Sequence, residues 1–305
     1  MNIFSVIVTY FPDPAGLLYL CRVLAEGGSR VVVVDNTDPE RSLSIEARRA
    51  LPACTWIEVG RNSGIAHAQN RGIAFAIDSG ADAVVFFDQD SRPDRTFVPT
   101  IISGLSRGSP GVVAPVCRDA TTGTELPSLA VNRFGMLRKV YAGQSGSPYP
   151  VDLVISSGSA ATVETFALVG KMDEDYFIDF VDFEWCFRCR EKKVPITIQP
   201  QAIMRHSIGD RAVDLGMFKG VVHSASRSYY KIRNCFLNFR KPSVPLLFST
   251  RALIVGLVQY VALIPATKQR RTYMRVLFRA VGDGLKGVVG ADPATSGRRA
   301  QGAPT

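Results

Sequence analysis

Short apolar runs alternate with longer amphipathic segments over the first half of the chain. The apolar runs are rich in β-branched residues, which favour buried strands, and they predict strands at 3–9, 30–35, 54–59, 83–88 and 111–116. The segments between them predict helices at 15–27, 42–51, 64–80 and 95–105. Strands that alternate with helices form βαβ units, so the pattern predicts an α/β fold with an open, mostly parallel sheet flanked by helices.

The second half of the chain has a different pattern. After a loop-like stretch, the run VDLVISS predicts a strand at 151–157, and the segment 184–193 predicts a helix. The residues beyond 215 combine helical spacing with basic and apolar side chains, and the last residues are small and polar, which is typical of disorder. The sequence therefore predicts three parts: a domain over 1–215, a helical region over 216–290 and a disordered tail over 291–305.

The helical region carries a membrane-like signal. The segment 244–266 has 23 residues, and Arg251 is its only charge. About 20 apolar residues cross a bilayer, but Arg251 and the flanking prolines disfavour a buried span. The segment 267–287 interleaves bases with apolar residues, a pattern typical of a helix in the lipid headgroup layer. The alternative is that 244–266 packs as a core helix, on the domain over 1–215 or in a dimer.

Charge is distributed unevenly along the chain, whose formal net charge is +9. From Lys219 onward there are 15 lysines and arginines against two acids, whereas the first 218 residues hold 21 bases and 25 acids. A basic tail favours an anionic membrane surface or a nucleic acid as its partner. Aromatic residues among the bases, such as Tyr229 and Phe239, would suit single-stranded nucleic acid. No nucleic-acid module accompanies them, and the acidic body would repel phosphates, so we expect a membrane surface and no nucleic acid.

Composition excludes several other classes. The chain is 46% hydrophobic and 21% charged, which is typical of a soluble globular protein and unlike a disordered or fibrous one. Six cysteines are too sparse for a disulfide scaffold, and Cys186 and Cys189 form a single C-x-x-C without a second pair, so no structural zinc is expected. Met1 leads directly into the first predicted strand, without the basic flank of a secretory signal.

Polar residues follow the predicted strands at the edge where ligands of an open α/β sheet bind. They are Thr9-Tyr10, Asp35-Asn36, Arg61-Asn62-Ser63-Gly64 and Asp88-Gln89-Asp90-Ser91. Asp88 and Asp90 lie one residue apart and could both face a hard cation such as Mg²⁺ or Mn²⁺. The alternative is that they are solvated, with Asp90 and Ser91 capping the next helix. A dinucleotide fold would need G-x-G-x-x-G after the first strand, where the chain has TYFPDP instead.

Several motifs together resemble a known family. They are VIVTYFPDP near the start, VVDN at 33–36, GRNSGIAHAQNRGI at 60–73, FFDQDS at 86–91, FIDFVDFEWCFR at 177–188 and the later His206. Their order and spacing over residues 1–210 resemble family 2 glycosyltransferases of the GT-A fold, a Rossmann-like architecture, and among them the bacterial rhamnosyltransferases of cell-surface polysaccharide synthesis. The resemblance implies an inverting, metal-dependent transfer of a sugar from a nucleotide donor.

The resemblance also implies a nucleotide site. Thr9 and Tyr10 would lie beside the base, and Asp35 would accept a hydrogen bond from the pyrimidine N3–H. The pocket would be lined by Arg61, Asn62 and Gly64. Asp88 would contact ribose or metal-bound water.

A metal site, a catalytic base and an acceptor side complete the implied site. Asp90 and His206 would bind Mg²⁺ or Mn²⁺, and Asp182 would take the proton of the acceptor hydroxyl. The acceptor side would include Ser157, Gly158 and Trp185, although Trp185 could equally fill the core. Six acids crowd the segment 173–184, and like-charge repulsion should raise some of their pKa values.

The implied donor is dTDP-L-rhamnose, and the implied acceptor is a saccharide, lipid-linked, in cell-surface polysaccharide synthesis. Alternatives are glucose, galactose or galactofuranose from a UDP donor. A non-catalytic membrane scaffold would leave the acidic motifs unexplained. We expect the protein to be peripheral, on the cytoplasmic face of the bacterial inner membrane.

Overall fold

A computed structural model describes residues 1–51, 54–143, 146–206, 212–214, 219–221, 224–265, 267 and 269–296. Its strands are β1 Ile3–Thr9, β2 Arg30–Asp35, β3 Cys54–Glu58, β4 Ala83–Asp88, β5 Val112–Asp119, β6 Ser128–Val131, β7 Leu137–Val140, β8 Tyr149–Val151, β9 Ala160–Thr162, β10 Ile196–His206, β11 Ala212–Asp214 and β12 Lys219–Val221. Its helices are α1 Pro14–Glu26, α2 Ile45–Arg49, α3 Ile65–Asp78, α4 Phe97–Ile102, α5 Val163–Val169, α6 Val181–Glu191, α7 Ala225–Asn238, α8 Leu246–Leu263, α9 Arg270–Lys286 and α10 Pro293–Ser296.

Eight strands form the central sheet, in the order β3-β2-β1-β4-β9-β5-β10-β8. The first four in this order are parallel, β10 is parallel to β5, and β9 and β8 run antiparallel to their neighbours. In register, Thr9 pairs with Asp35, and Val8 pairs with Asp88. The ends of β1, β2 and β4 therefore meet at one edge, as expected for a mostly parallel sheet, and the predicted α/β fold is confirmed.

Each face of the sheet is covered by its own set of helices. Phe4 and Val6 of β1 lie in the core formed with α3 and α6, whereas Ile3 and Ile7 lie in the core formed with α1 and α4. Because successive side chains of a strand point to opposite faces, the uninterrupted apolar run of β1 supplies both cores. Helices on both faces leave the strand ends as the accessible edge.

The predicted strand at 151–157 is wrong beyond Val151. The chain leaves β8 there and turns at Gly158, which has a φ of +79°. A Cβ at Gly158 would lie 2.9 Å from both Met204 and Pro115, so the position requires glycine. The strand that enters the sheet after this turn is the short β9. Its antiparallel direction follows from the turn, which an apolar pattern does not reveal.

The C-terminal helices pack on the N-terminal domain. Phe248 of α8 makes edge-on ring contacts with Phe180, Phe183 and Phe187 around the start of α6, and Tyr230 of α7 stacks on Phe177 with ring centroids 4.5 Å apart. A third core joins α7, α8 and α9 through Tyr229, Ile232, Tyr260, Tyr273 and Leu277. The helical region is therefore continuous with the N-terminal domain.

Part of the predicted disordered tail is ordered. Asp292 is completely buried, where it binds Arg279 and where its backbone N–H donates to the Tyr230 hydroxyl at 2.8 Å. The short α10 follows it. Within the tail predicted to be disordered, residues 291–296 are thus held by a buried ion pair and a short helix. The remainder of the tail, 297–305, lies outside the described residues.

Among the described residues, none of the helices has both the length and the apolar character that a membrane span requires.

Candidate active site

Asp35, at the end of β2, is the centre of a buried hydrogen-bond cluster. Its Oδ1 accepts from the Thr9 hydroxyl at 3.0 Å and from the backbone N–H and hydroxyl of Thr37 at 3.0 and 2.6 Å, and its Oδ2 accepts from the Ser42 hydroxyl. Thr9 is completely buried and its hydroxyl orients Asp35, so its predicted place beside the base stays a prediction. The hydrogen bond from Asp35 to a pyrimidine stays a prediction.

An exposed aromatic pair follows β1. Tyr10 is 43% exposed, its ring lies 4.3 Å from that of Phe11, and the Arg41 guanidinium lies 4.4 Å from the Phe11 ring. The Tyr10 N–H donates to the Gln89 Oε1 at 2.7 Å, and the Gln89 side chain returns a bond to the Tyr10 carbonyl at 3.1 Å. This pair of bonds fixes the aromatic turn against the turn after β4. Gln89 was missed as a site residue, and its place between the two acids was the available signal.

The β3–α3 loop divides into an exposed part and a packed part. Arg61 and Asn62 are exposed, and they remain available to an anionic ligand. Gly64 is buried with a φ of +86°, and a Cβ there would lie 2.5 Å from the Phe177 carbonyl oxygen. The same oxygen accepts a hydrogen bond from Ile65 N–H at 2.7 Å. Gly64 therefore packs the loop against Phe177, and its predicted place in the nucleotide pocket stays a prediction.

Asp88 and Asp90 of the predicted metal site lie at the end of β4, and His206 lies at the end of β10. Asp88 is partly buried, and Asp90 is exposed in the following turn. Burial raises the pKa of the Cys117 thiol to about 11, and the Asp88 charge adds to this, which places Asp88 near β5. His206 is the last residue of β10, opposite Asp119, but its side chain lies outside the described residues.

The chemistry of the carboxylate pair suits a divalent cation, since Mg²⁺ and Mn²⁺ prefer oxygen ligands. Among the described side chains, no group of three histidines, cysteines or acids forms a metal site. The alternative helix-capping role of Asp90 and Ser91 is wrong, because α4 begins after Thr96, whose N–H binds Asp94 at 2.9 Å. Asp88 and Asp90 thus fit the cation as part of a ligand set.

Asp182 lies in the first turn of α6, where its Oδ1 accepts from Phe183 N–H at 2.9 Å. Burial raises the pKa of Asp182 to about 6, and the backbone N–H groups of Phe183 and Ser156 partly oppose this rise. The Asp179 charge raises it further but is a smaller cause. The predicted rise in pKa is present at Asp182, although its main cause is burial and not the crowding of acids. A carboxyl with this pKa can accept a proton near neutral pH.

The other five acids of the segment have side-chain partners. Lys241 pairs with Asp173 and Asp175, at 2.6 and 2.7 Å. The remaining pairs are Glu174 with His67, Asp179 with Arg227 and Glu184 with Arg188. These pairs give each of the five a structural task, and they distinguish Asp182 from its neighbours by chemistry as well as by motif.

The three residues predicted on the acceptor side, Trp185, Ser157 and Gly158, are buried, and their role toward the acceptor stays a prediction. Trp185 is 4% exposed, its indole N–H donates to the Gly170 carbonyl at 2.9 Å, and its ring stacks on Phe166. Ser157 is buried with its hydroxyl 3.2 Å from that of Ser91, and Gly158 is buried as well. Ser157 and Gly158 belong to the turn whose Ser156 N–H donates to the Asp182 carboxylate. Of the three-residue turn, Ser156 alone keeps partial exposure.

Fold and site together define a nucleotide-dependent group transferase of the GT-A type. The edge of a mostly parallel sheet joins an exposed aromatic pair, a D-x-D turn and a carboxyl that titrates near neutrality. The family model described as Glycosyl transferase family 2 matches residues 5–160. The chain belongs to this family, and it is a glycosyltransferase.

The chain is similar to characterised proteins over most of its length. It is 36% identical over 290 residues to the dTDP-rhamnosyl transferase RfbF of Shigella flexneri, covering 95% of this chain and 97% of that protein. Among solved structures, S. aureus TarS 1–349 in complex with UDP-GlcNAc has a TM-score of 0.53 at 14% identity, covering 94% of this chain and 82% of that one. GalNAc-T7 with UDP, GalNAc and Mn²⁺ has a TM-score of 0.53 at 13% identity, covering 72% and 46%. The two structures support the GT-A fold.

Proposed function

We propose that the protein transfers a sugar, with inversion, from a nucleoside diphosphate sugar to a hydroxyl of a saccharide acceptor. The acceptor oxygen attacks the anomeric carbon as its proton passes to the Asp182 carboxylate. The bond from that carbon to the diphosphate oxygen breaks, and its electron pair leaves with the diphosphate. The observation that carries this proposal is the partly buried Asp182, whose pKa of about 6 suits a general base.

The proposed donor is dTDP-L-rhamnose. The support is the 36% identity to a dTDP-rhamnosyl transferase over nearly the whole of both chains. The runner-up is another hexose on a UDP donor. Incubation with a panel of dTDP- and UDP-sugars separates these candidates, and turnover confined to a UDP-sugar would reject rhamnose.

A divalent cation, Mg²⁺ or Mn²⁺, belongs to the proposal, with Asp90 and His206 as its ligands and Asp88 in contact with ribose or metal-bound water. When bound, it would neutralise charge on the departing diphosphate. The oxygen chemistry of the carboxylate pair supports this, as does the Mn²⁺ in GalNAc-T7. Removal of metal with EDTA should abolish turnover, and Mn²⁺ should restore it. Full activity in EDTA would reject the cation.

The proposed site of action is an anionic membrane surface, the cytoplasmic face of the bacterial inner membrane, where a lipid-linked acceptor for cell-surface polysaccharide would be reached. The support comes from α8 and α9, whose outward faces expose large apolar side chains, among them Leu246 at 70% and Phe278 at 69%. On α9, exposed Arg271 and Arg275 alternate with Met274 and Phe278 on one face, while Tyr273, Leu277 and Ala280 are buried on the other. Bases beside apolar side chains match the chemistry of an anionic lipid interface.

A further inference from the structure

The backbone that leads into Asp182 adopts a costly conformation. Phe177, Asp179 and Phe180 have φ values of 63°, 63° and 66°, although none of them is glycine. At Phe177 the ψ of −61° and a hydrogen bond from Ile178 N–H to the Tyr176 carbonyl, at 2.7 Å, form a strained γ-turn. Such strained backbone persists only where the surroundings hold it. The segment 175–180 therefore needs anchors.

Asn234 of α7 is one anchor. Its buried side-chain amide donates to the carbonyl oxygens of Tyr176, Ile178 and Asp179 at 3.0, 2.7 and 3.0 Å. The orientation of this amide is fixed by its neighbour, because the Arg233 Nε–H donates to the Asn234 Oδ1 at 2.8 Å. The NH₂ group must then face the three carbonyls.

Arg233 is the second anchor, and it is completely buried. Its Nη2 donates to the Tyr176 and Asp175 carbonyls at 3.0 and 3.3 Å, and its Nη1 donates to Gly290 and Val288 at 2.9 and 3.2 Å. Burying a charged guanidinium costs free energy. Packing alone therefore does not explain why Arg233 is buried with its donors on backbone carbonyls. Arg233 ties the C-terminal segment to the backbone before α6.

On its opposite side the segment meets the start of α3. The Phe177 carbonyl accepts from Ile65 N–H, and Gly64 packs against it. The strained turn is thus held between the β3–α3 loop and α7.

We propose that Arg233 and Asn234 are positioning residues for sugar transfer. They hold the carbonyls of 175–179 so that the first turn of α6 presents Asp182 to the acceptor at a fixed depth of burial. The proposal rests on the proposed base role of Asp182. It assigns the C-terminal helices a part in catalysis that is separate from any contact with a membrane.

The test compares Asn234→Ala with Tyr229→Phe. Tyr229 lies on the same helix, and the control removes its bond to the Asp283 carboxylate at 2.8 Å without touching segment 175–180. We expect Asn234→Ala to lower kcat roughly 10- to 100-fold, the scale of a misplacement of about 1 Å, with the donor KM within about threefold. Amide hydrogen exchange over 176–183 should accelerate, and the pH midpoint of kcat should fall toward that of an ordinary aspartate as Asp182 becomes solvated.

The control should keep the wild-type kcat, pH midpoint and exchange rates, even if its Tm falls. Wild-type kcat and midpoint in Asn234→Ala would overturn the proposal, as would equal losses in Tyr229→Phe. Should Asn234→Ala fail to fold, Arg233→Lys keeps the buried charge but cannot reach all four carbonyls, and it undergoes the same measurements. Asp182→Asn belongs in the series. If Asp182→Asn keeps its turnover, the base role of Asp182 is rejected. If Asp182→Asn is inactive while Asn234→Ala behaves like wild type, the base role stands and only the positioning role of Arg233 and Asn234 is rejected.

Discussion

Replacement of Asp182 by Asn should make the protein more stable above pH 6. The pKa of this carboxyl rises from 3.8 to about 6 in the folded protein, mainly through burial. The folded state therefore binds the proton more tightly than the unfolded chain does. Binding of this proton stabilises the folded state. The stabilisation is complete below pH 3.8 and is lost as the pH rises through 6. Above pH 6, folding must bury a charge that Asn does not carry.

The size of the effect follows from the difference between the two pKa values. About two pH units at about 1.4 kcal/mol each give at most about 3 kcal/mol. Because Asp182 is partly exposed, solvent screening reduces the expected gain of the Asn variant to about 2 kcal/mol at pH 8. Below pH 4 the gain should vanish.

Urea denaturation of wild type and Asp182→Asn at several pH values between 4 and 8 measures the gain directly. Asp179→Asn is the matched control, since Asp179 pairs with Arg227 at the surface and its loss should cost less than about 1 kcal/mol. A stability difference for Asp182→Asn that does not change with pH, or a wild type that is the more stable protein at pH 8, would refute the burial argument.

Three further predictions follow from the same geometry. The kcat of transfer should rise with pH to a plateau, with a midpoint near 6, because the ionised Asp182 is the active form; a kcat already at its plateau at pH 5 would contradict this. Gly64→Ala should lower the free energy of unfolding by ~2 kcal/mol or more, because φ is +86° and the new Cβ would meet the Phe177 carbonyl. Thermal melts measure this loss against the control Gly60→Ala, whose φ is also positive but whose Cβ meets nothing within 4 Å. The double variant Arg271→Glu and Arg275→Glu should weaken binding to anionic vesicles about 30-fold or more, at about 1 kcal/mol per lost base; vesicle co-sedimentation measures this, and unchanged binding would reject the α9 surface.

The elements that the sequence predicted best are those whose pattern is local. β1, β2 and β4 have the predicted bounds, because an apolar run buried on both faces needs no knowledge of its partners. The short strand β9 was missed because the Gly158 turn decides its course. The packing of α8 on the N-terminal domain was available only as an alternative, since it depends on contacts such as Phe248 with Phe187 between distant parts of the chain.

Motifs identified the region of the site more reliably than they identified contacts. The roles of Asp182 and Tyr10 stay predictions, although burial raises the pKa of Asp182 and Tyr10 is 43% exposed. Thr9, Gly64 and Trp185 belong to the same motifs but are buried and support their neighbours. A motif shows which residue type occupies a position, but it does not show whether that residue contacts a ligand or supports the fold.

Turnover by Asp182→Asn, measured together with its affinity for the nucleotide donor, tests the central claim most directly. The account predicts a loss of kcat of roughly 10²- to 10⁴-fold, as for removal of a general base, while calorimetric titration shows the donor bound as tightly as by wild type and Asp179→Asn stays active. A variant that binds the donor and still transfers sugar within a few-fold of the wild-type rate would contradict it.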